Sequence, residues 1–509
     1  MNRIIFNMAV KNLFANKAKL IITLSLIGIG TFLIILGLGI LNFAKKQTKD
    51  VSESDFSGDI LIIGKPDDPQ VEVELFGTYV KFAVRTSKPK MPYLLPFEKI
   101  RGIVSQTDGV ESLTQTVVSG GALVPVDLPD GWKPKNENSG NRPYLGILGN
   151  KAREYRTLFT TAQIFEGAYP ETDDERYFIL PRKTKENYEK YYERSLAIGD
   201  EVIVRSSSWS KPKQQRVRIT GFFDYAHGDT VIENVAYADA DTVRILADMT
   251  MGAKTAANIP DSIDLSLSEK SEEDFFASDD AFLIEESVDV QSAKTDFDNL
   301  LGSTELRDTL NLPDNEAWHH IEVKLTKGTG IKTAYVIKKL NKRFADENLN
   351  VQAVAWNKAM ASLSEAIKGT SFLFTVMLVL LSVVVLIVIM NTLVVAVMQR
   401  NAEIGTMRAI GAKKSFVRKI FFTESLFMSL TGVCIGIVLA LIAAFIINSF
   451  DIHLNEVLSY MFGGKKIRVS ISVMSIVWTM LAMTAAGLAA NWYPVRLALR
   501  ISPLEAINK

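Results

Sequence analysis

One cysteine in 509 residues, Cys434, excludes an internal disulfide, and its place inside an apolar run makes it a small hydrophobe rather than a reactive thiol. Charge of one sign is not in excess either. Lys and Arg number 57, as do Asp and Glu, so bulk attraction to nucleic acid is not indicated, and no basic block outside the flanks of the apolar runs suggests it. The 4 histidines give no metal-ligand spacing: His227 and His453 stand apart, while His319 and His320, adjacent on an expected strand, point to opposite faces. Neither a serine-nucleophile elbow nor a zinc-protease motif occurs. Gly328-Thr-Gly-Ile-Lys-Thr333 lacks the spacing of a phosphate-binding loop and reads as the start of a helix. No catalytic residue, metal ligand or bound cofactor is therefore expected on this chain.

What the chain has in plenty is apolar sequence, unevenly distributed. At 48% hydrophobic residues and a mean hydropathy of +0.13 it is too apolar for an ordinary soluble protein and too polar for a bare bundle of membrane helices. Four runs long enough to span a bilayer, free of charge apart from Glu424 at the head of the third, explain the excess: residues 20–44, 369–398, 420–449 and 469–493. Residues 1–19 precede the first as a basic, amphipathic helix on the cytoplasmic face. The run that follows is longer than a signal peptide's apolar core and lacks a convincing cleavage site, so it reads as an uncleaved membrane helix. Both termini then lie inside, with an external loop at 450–468 and a cytoplasmic tail at 494–509. Lys465, Lys466 and Arg468 weaken that orientation, and Arg496 and Arg500 partly restore it.

Residues 45–368 have the composition of a soluble domain, and the helix before them must deliver it to the far side of the membrane. Short β-like runs (Asp59–Ile63, Val71–Leu75, Val80–Arg85, Val110–Val118, Val202–Arg205, Arg216–Phe223, Ile263–Leu267, Ile321–Leu325, Val351–Ala355) alternate with helical ones (Phe97–Ser105, Asp239–Asp248, Thr329–Ala345). The fold expected is thus a large α+β extracytoplasmic domain inserted between the first and second of four transmembrane α-helices. Ile331, Ala334, Ile337, Leu340 and Phe344 give the last soluble helix its apolar stripe, and the stretch from Ala355 is expected to run on as one stiff helix into the second span. Pro125 to Pro143 and the acidic stretch Glu269 to Asp289 read as loops; the latter is either a solvated surface or a contact for a basic partner.

The link at 399–419 joins the second and third spans. Ile404, Met407 and Ile410 recur every third residue on one face of a short helix, Glu403 sits in its first turn, and Gly411 stands where it stops. Such a link is either a basic anchoring loop or a docking helix for a cytoplasmic partner. Within the spans, Gly432, Gly436, Ala440 and Ala444 in the third and Ala482, Ala486 and Ala490 in the fourth form ridges that permit close packing, within or between subunits. Glu424, at the head of the third run, is either buried and paired or held at the interface.

The sequence resembles the FtsX/MacB-type permeases of ABC transporters. The resemblance is carried by Arg400-x-x-Glu403-Ile-Gly-x-Met-Arg408-Ala-Ile-Gly411-Ala, by Glu424 in Phe-Phe-Thr-Glu-Ser-Leu, and by Tyr493-Pro-Val-Arg-x-Ala-x-Arg-x-x-Pro503-Leu-Glu-Ala-Ile. It implies that the link is a coupling helix docking on a cytoplasmic ATPase, with Glu403, Ile404, Met407, Arg408, Ile410 and Gly411 as its coupling residues and ATP and Mg bound by that partner. It also raises the chance that Glu424 joins the link to the third span through Arg408 or Arg418. In the outer domain, Ser57-Gly-Asp-Ile-Leu-Ile, Glu166-Gly-Ala-Tyr, Ile198-Gly-Asp-Glu-Val, Ile219-Thr-Gly-Phe-Phe-Asp and Val354-Ala-Trp356 look most like the LolC/LolE branch. That resemblance implies two permease chains with two ATPase subunits in a bacterial inner membrane, lifting lipoproteins to a periplasmic carrier. The cavity framed by the first two spans would then offer Ile40, Leu41 and Phe43 with Phe372, Leu373 and Phe374, unless these simply face lipid. Two other functions compete: MacB-like expulsion of peptides or drugs, and FtsX-like activation of a cell-wall hydrolase.

Overall fold

The computed structural model describes residues 17–66, 68–80, 91–129, 132–134, 142–206, 213–225, 233–251, 309–328, 332–399, 401–450, 452–455, 458–459 and 464–498. The expected amphipathic segment before residue 17, the strands at 81–85 and 263–267, the acidic stretch 269–289 and the last residues of the tail lie outside them. The chain forms two compact units, one built on a sheet between Val51 and Ala361, the other built of the helices on either side of it in sequence.

Helix α1 (Lys17–Val51) runs past the charge-free segment through Lys45, Lys46 and Lys49, because nothing in that stretch breaks a helix. A π-turn at Ser52–Phe56 follows, tied into the sheet unit where the Lys324 ammonium donates to the Glu53 carbonyl at 2.8 Å and the Tyr155 hydroxyl to that of Asp55 at 3.2 Å. The sheet unit opens with β1 (Ile60–Gly64), the hairpin β2 (Val71–Glu74) and β3 (Gly77–Val80), then α2 (Phe97–Ser105) and the long β4 (Val110–Pro125). Next come β5 (Tyr144–Asn150), α3 (Ala152–Leu158), β6 (Ala162–Gly167), β7 (Phe178–Pro181) and α4 (Arg182–Tyr192). Strands β8 (Glu201–Ser206), β9 (Gln214–Arg218), β10 (Gly221–Tyr225) and β11 (Val235–Asp239) lead to α5 (Ala240–Leu246). The unit ends with β12 (His320–Leu325), α6 (Thr333–Asp346), β13 (Val351–Val354) and α7 (Trp356–Ala359).

Among the described residues eleven strands make one mixed sheet, with the path β13-β1-β12-β4-β5-β11-β7-β10-β6 and β8 and β9 added beside β4. Helices α2, α4, α5 and α6 lay Ile100, Val104, Tyr188, Val243, Leu340 and Phe344 into one apolar cluster with Ile60, Ile62, Val117, Ile147 and Ala238 of the strands. Each such side chain, fully buried, contributes about 1.5–3 kcal/mol. Another cluster is aromatic: Tyr155 lies 5.3 Å from Tyr237, Phe223 4.9 Å from Tyr237, and Phe56 5.5 Å from Tyr225, ring centre to ring centre.

Several expectations change. The single strand expected at Arg216–Phe223 is two, parted where the Ile219 N–H turns to the Asp200 carbonyl and the Thr220 N–H to that of Phe178. Strands β5, β6, β7 and β11 and helices α3 and α4 were not foreseen; β5 carries two glycines and β11 two alanines, weak strand formers that a fully buried position in the sheet overrides. Helix α6 is formed by Thr333–Asp346, and its buried stripe is Val336, Leu340 and Phe344 with Ile337 packed against the same cluster; Ala334 is exposed, and Ile331 lies outside the described residues. The expected continuous helix from Ala355 is broken at Met360 (φ −120°, ψ 58°).

The helical unit continues with α8 (Ala361–Gln399), α9 (Asn401–Ala409), α10 (Lys414–Ser449) and α11 (Val473–Ala498). Among the described residues four helices, α1, α8, α10 and α11, are long and apolar enough to cross a membrane. The boundaries shift at both ends of the outer segment, since Lys45–Asp50 belong to α1 and residues 361–368 to α8. Lys414, Arg418 and Lys419 likewise stand on the first turns of α10 rather than in a loop.

Candidate functional site

The site begins with the chemistry of a helix end. Gly411, at φ 101°, adopts the left-handed conformation that lets its own N–H reach the Arg408 carbonyl (3.1 Å) and the Ala412 N–H that of Met407 (3.0 Å), closing the last carbonyls of α9. The helix is thereby held to about two turns, and α10 begins at Lys414, with the extended Lys413 as its N-cap residue. Glu403 lies in the first turn of α9, where the macrodipole favours an anion.

The three apolar residues do not share one fate. Ile404 is buried among Val397 at the end of α8, Val417 and Phe421 at the start of α10, and Val495 of α11, with Met407 packed against the same cluster. Ile410 is 89% exposed. The reading of all three as one outward face is therefore corrected: Ile404 clamps α9 to the helical bundle, Met407 is shared, and Ile410 points away. Around them Lys413, Lys414, Arg418 and Lys419 are exposed and Arg408 half-buried. Glu424 is buried.

Above the clamp the bundle is held by missing side chains. At Gly432 an added Cβ would come 2.9 Å from Ile27 Cβ, and at Gly436 it would come 2.5 Å from the Gly28 carbonyl oxygen, so α10 lies directly against α1. Ala440 and Ala444 continue the buried ridge of α10. On α11 the ridge is displaced: Ala482 is exposed and Ala486 only half-buried, while Thr479, Met483, Gly487 and Ala490 face inward, with Gly487 against Ser429. The sequence signal for this was the heptad-like spacing of Met483, Gly487 and Ala490, which counting alanines alone overlooks. Gly28 and Gly37 of α1 were missed for the same reason.

The expected cavity residues also divide. Phe372 and Leu373 are exposed, at 68% and 65%, Ile40 and Phe43 are half-buried, and Leu41 is buried. Phe374 lies so close to Gly37 that any Cβ there would strike its ring. Helices α1 and α8 therefore touch at this level instead of framing a gap.

Among the described residues the chain thus has four membrane-length helices, a large α+β domain between the first and second, and a clamped two-turn helix between the second and third. Residues 375–503 match the family model described as FtsX-like permease C-terminal, and the chain is similar to permeases of the FtsX/MacB type. It is 28% identical over 194 residues to an uncharacterized ABC transporter permease of Methanocaldococcus jannaschii, covering 38% of this chain and 46% of that one. It is 27% identical over 152 residues to the macrolide export ATP-binding/permease protein MacB of Vibrio parahaemolyticus, covering 29% of this chain and 21% of that one. The chain thus spans less than half the length of either relative. Among solved structures, the periplasmic region of MacB from Actinobacillus actinomycetemcomitans has a TM-score of 0.29 at 10% identity, covering 62% of this chain and 97% of that one. The extracellular domain of the transporter YknZ from Gram-positive bacteria scores 0.26 at 12% identity, covering 58% and 98%.

Proposed function

We propose that this permease couples ATP hydrolysis, by a cytoplasmic ATPase binding ATP and Mg, to motion of its outer domain, with α9 as the lever. The observation carrying this is the division of α9: Ile404 ties it to three membrane helices while Ile410 stands 89% exposed on the same two turns. A helix so fixed transmits a push on its free side to the ends of α8, α10 and α11. Two permease chains and two ATPase subunits make the working assembly in the bacterial inner membrane. The test is Ile410→Asp, which would bury an unpaired carboxylate in the ATPase groove at a cost of several kcal/mol. The variant is expected to fold as wild type and to lose ATPase co-purification and substrate-stimulated hydrolysis; retention of both would refute the lever.

For the cargo, the reading that follows from the LolC/LolE-like segments is a lipoprotein, passed from the membrane to a periplasmic carrier. Its acyl chains must leave lipid without crossing water, at about 0.8 kcal/mol per methylene, which is reason enough for ATP. A second reading, export of peptides or drugs from the periplasm, is favoured by the contact of Phe374 with Gly37, which leaves no gap between α1 and α8 at that level. It also agrees with the macrolide export named for a relative. Depletion separates them: mature lipoproteins retained in the inner membrane support the first, normal sorting with drug sensitivity the second, and failed cell separation would select control of a cell-wall hydrolase instead.

A further inference from the structure

The first two turns of α10 carry charge of one sign. Lys413, the N-cap residue, and Lys414, Arg418 and Lys419 after it are all exposed, and none has an ion-pair partner among the described residues. Arg496 of α11, also exposed, stands at the same level, because its neighbour Val495 packs against Val417 and Phe421 of α10. Against these cations the described residues of this end set two carboxylates. Glu424 is buried, and Glu403 lies on the first turn of α9, the helix that also carries Arg408.

Beyond the cations α10 is apolar and equally open. Arg418, Phe422, Leu426 and Leu430 recur every fourth residue, so they form one ridge of the helix, and all of them are exposed. From Phe422 to Leu430 the ridge climbs about 12 Å, at about 1.5 Å per residue, against a hydrocarbon depth of about 15 Å for one leaflet. An uncovered apolar ridge of that length, with cations at one end of a membrane-length helix, matches a phospholipid in both its parts. A water-soluble protein docking on the cations would make no use of the ridge. Depth is marked independently on α11, where Trp492 and Tyr493, 75% and 57% exposed, lie one turn from Arg496. Aromatic side chains of this kind gather where hydrocarbon meets headgroups, so the cations stand at headgroup depth.

We propose that the start of α10 binds an anionic phospholipid of the leaflet on the side of α9, its phosphate held by Arg418 and Lys419 and its acyl chain laid along Phe422, Leu426 and Leu430. The site requires α10 and α11 to span a membrane and is independent of the ATPase reading of α9. Full-length protein in detergent is given equimolar phosphatidylglycerol and phosphatidylcholine, and bound lipid is counted by native mass spectrometry. Preferential retention of phosphatidylglycerol is expected, weakened about tenfold or more when Arg418→Gln and Lys419→Gln are combined. The equally exposed pair Lys338 and Lys342 on α6 provides the control, in which Lys338→Gln with Lys342→Gln should leave retention unchanged. Melting temperature reports whether each variant is folded. Equal retention of the two lipids, wild-type retention in the folded α10 variant, or an equal loss in the control would overturn the proposal. So would loss of the ATPase subunit from the α10 variant with its lipid retained, which would make the patch a protein contact.

Discussion

At Gly436 the useful property is an absent carbon. The nearest atoms to an added Cβ are the Gly28 carbonyl oxygen at 2.5 Å and Thr31 Cβ at 2.6 Å, and the first of these is backbone that cannot rotate aside. Gly436→Ala must therefore force α1 and α10 apart, and a loss of about 1–3 kcal/mol is expected, read as a lower melting temperature in detergent. Gly369→Ala serves as the control, since nothing lies within 4 Å of a Cβ there, and it should melt no lower than wild type. Equal melting of the two variants would show that the close approach contributes nothing. The same single-residue logic separates Ile404 from Ile410: a charge at the first breaks the bundle's own cluster, whereas a charge at the second is felt only when a partner is present.

Strand β12 and the residue before it gather three buried titratable groups whose pH effects oppose one another. Burial lowers His319 to about 3, helped by its neighbour His320, and lowers His320 to about 4. His319 Nδ1 accepts from the Val118 N–H at 3.0 Å, which keeps that nitrogen unprotonated, whereas His320 Nε2 lies 3.1 Å from the Leu75 carbonyl oxygen, a contact that offsets part of the effect of burial. Burial raises Glu322 to about 8, although it accepts from the Thr116 hydroxyl. The histidines take up protons near 6.5 only on unfolding, so their contribution is lost as pH falls below that value toward 4. Glu322 stays protonated when folded but ionises near 4.5 when unfolded, so its contribution is lost as pH rises from there through about 8. Two groups outweigh one below pH 6.5, and the stability of this sheet is expected to peak near that pH. Protection of β12 amides, corrected for the intrinsic exchange rate at each pH, should be greatest there, and Glu322→Gln should flatten the alkaline limb while steepening the acid one. An unchanged alkaline limb in that variant would remove Glu322 as its cause.

For the whole molecule the division into two units makes a separable claim. The sheet unit holds its own apolar cluster drawn from strands and four helices, and uses no disulfide. Residues 51–361 produced alone are expected to be soluble and to unfold cooperatively in urea; a broad, non-cooperative transition would mean that this part depends on the membrane helices for its fold. The helical unit, with large apolar side chains such as Phe372, Phe445 and Trp478 exposed along its length, should by contrast require detergent or lipid.

The four spans, the inserted α+β domain and the stop of α9 at Gly411 were legible in the chain itself, because long apolar runs and a glycine after a short periodic segment each act through local physics. Strands β5 and β11 were not, because their glycines and alanines become strand residues only when a sheet covers both of their faces. Nor could spacing distinguish Ile404 from Ile410 or find the inward line of α11. Those depend on which neighbours arrive: Val417, Phe421 and Val495 beside one isoleucine, none of that cluster beside the other, and Ser429 opposite Gly487.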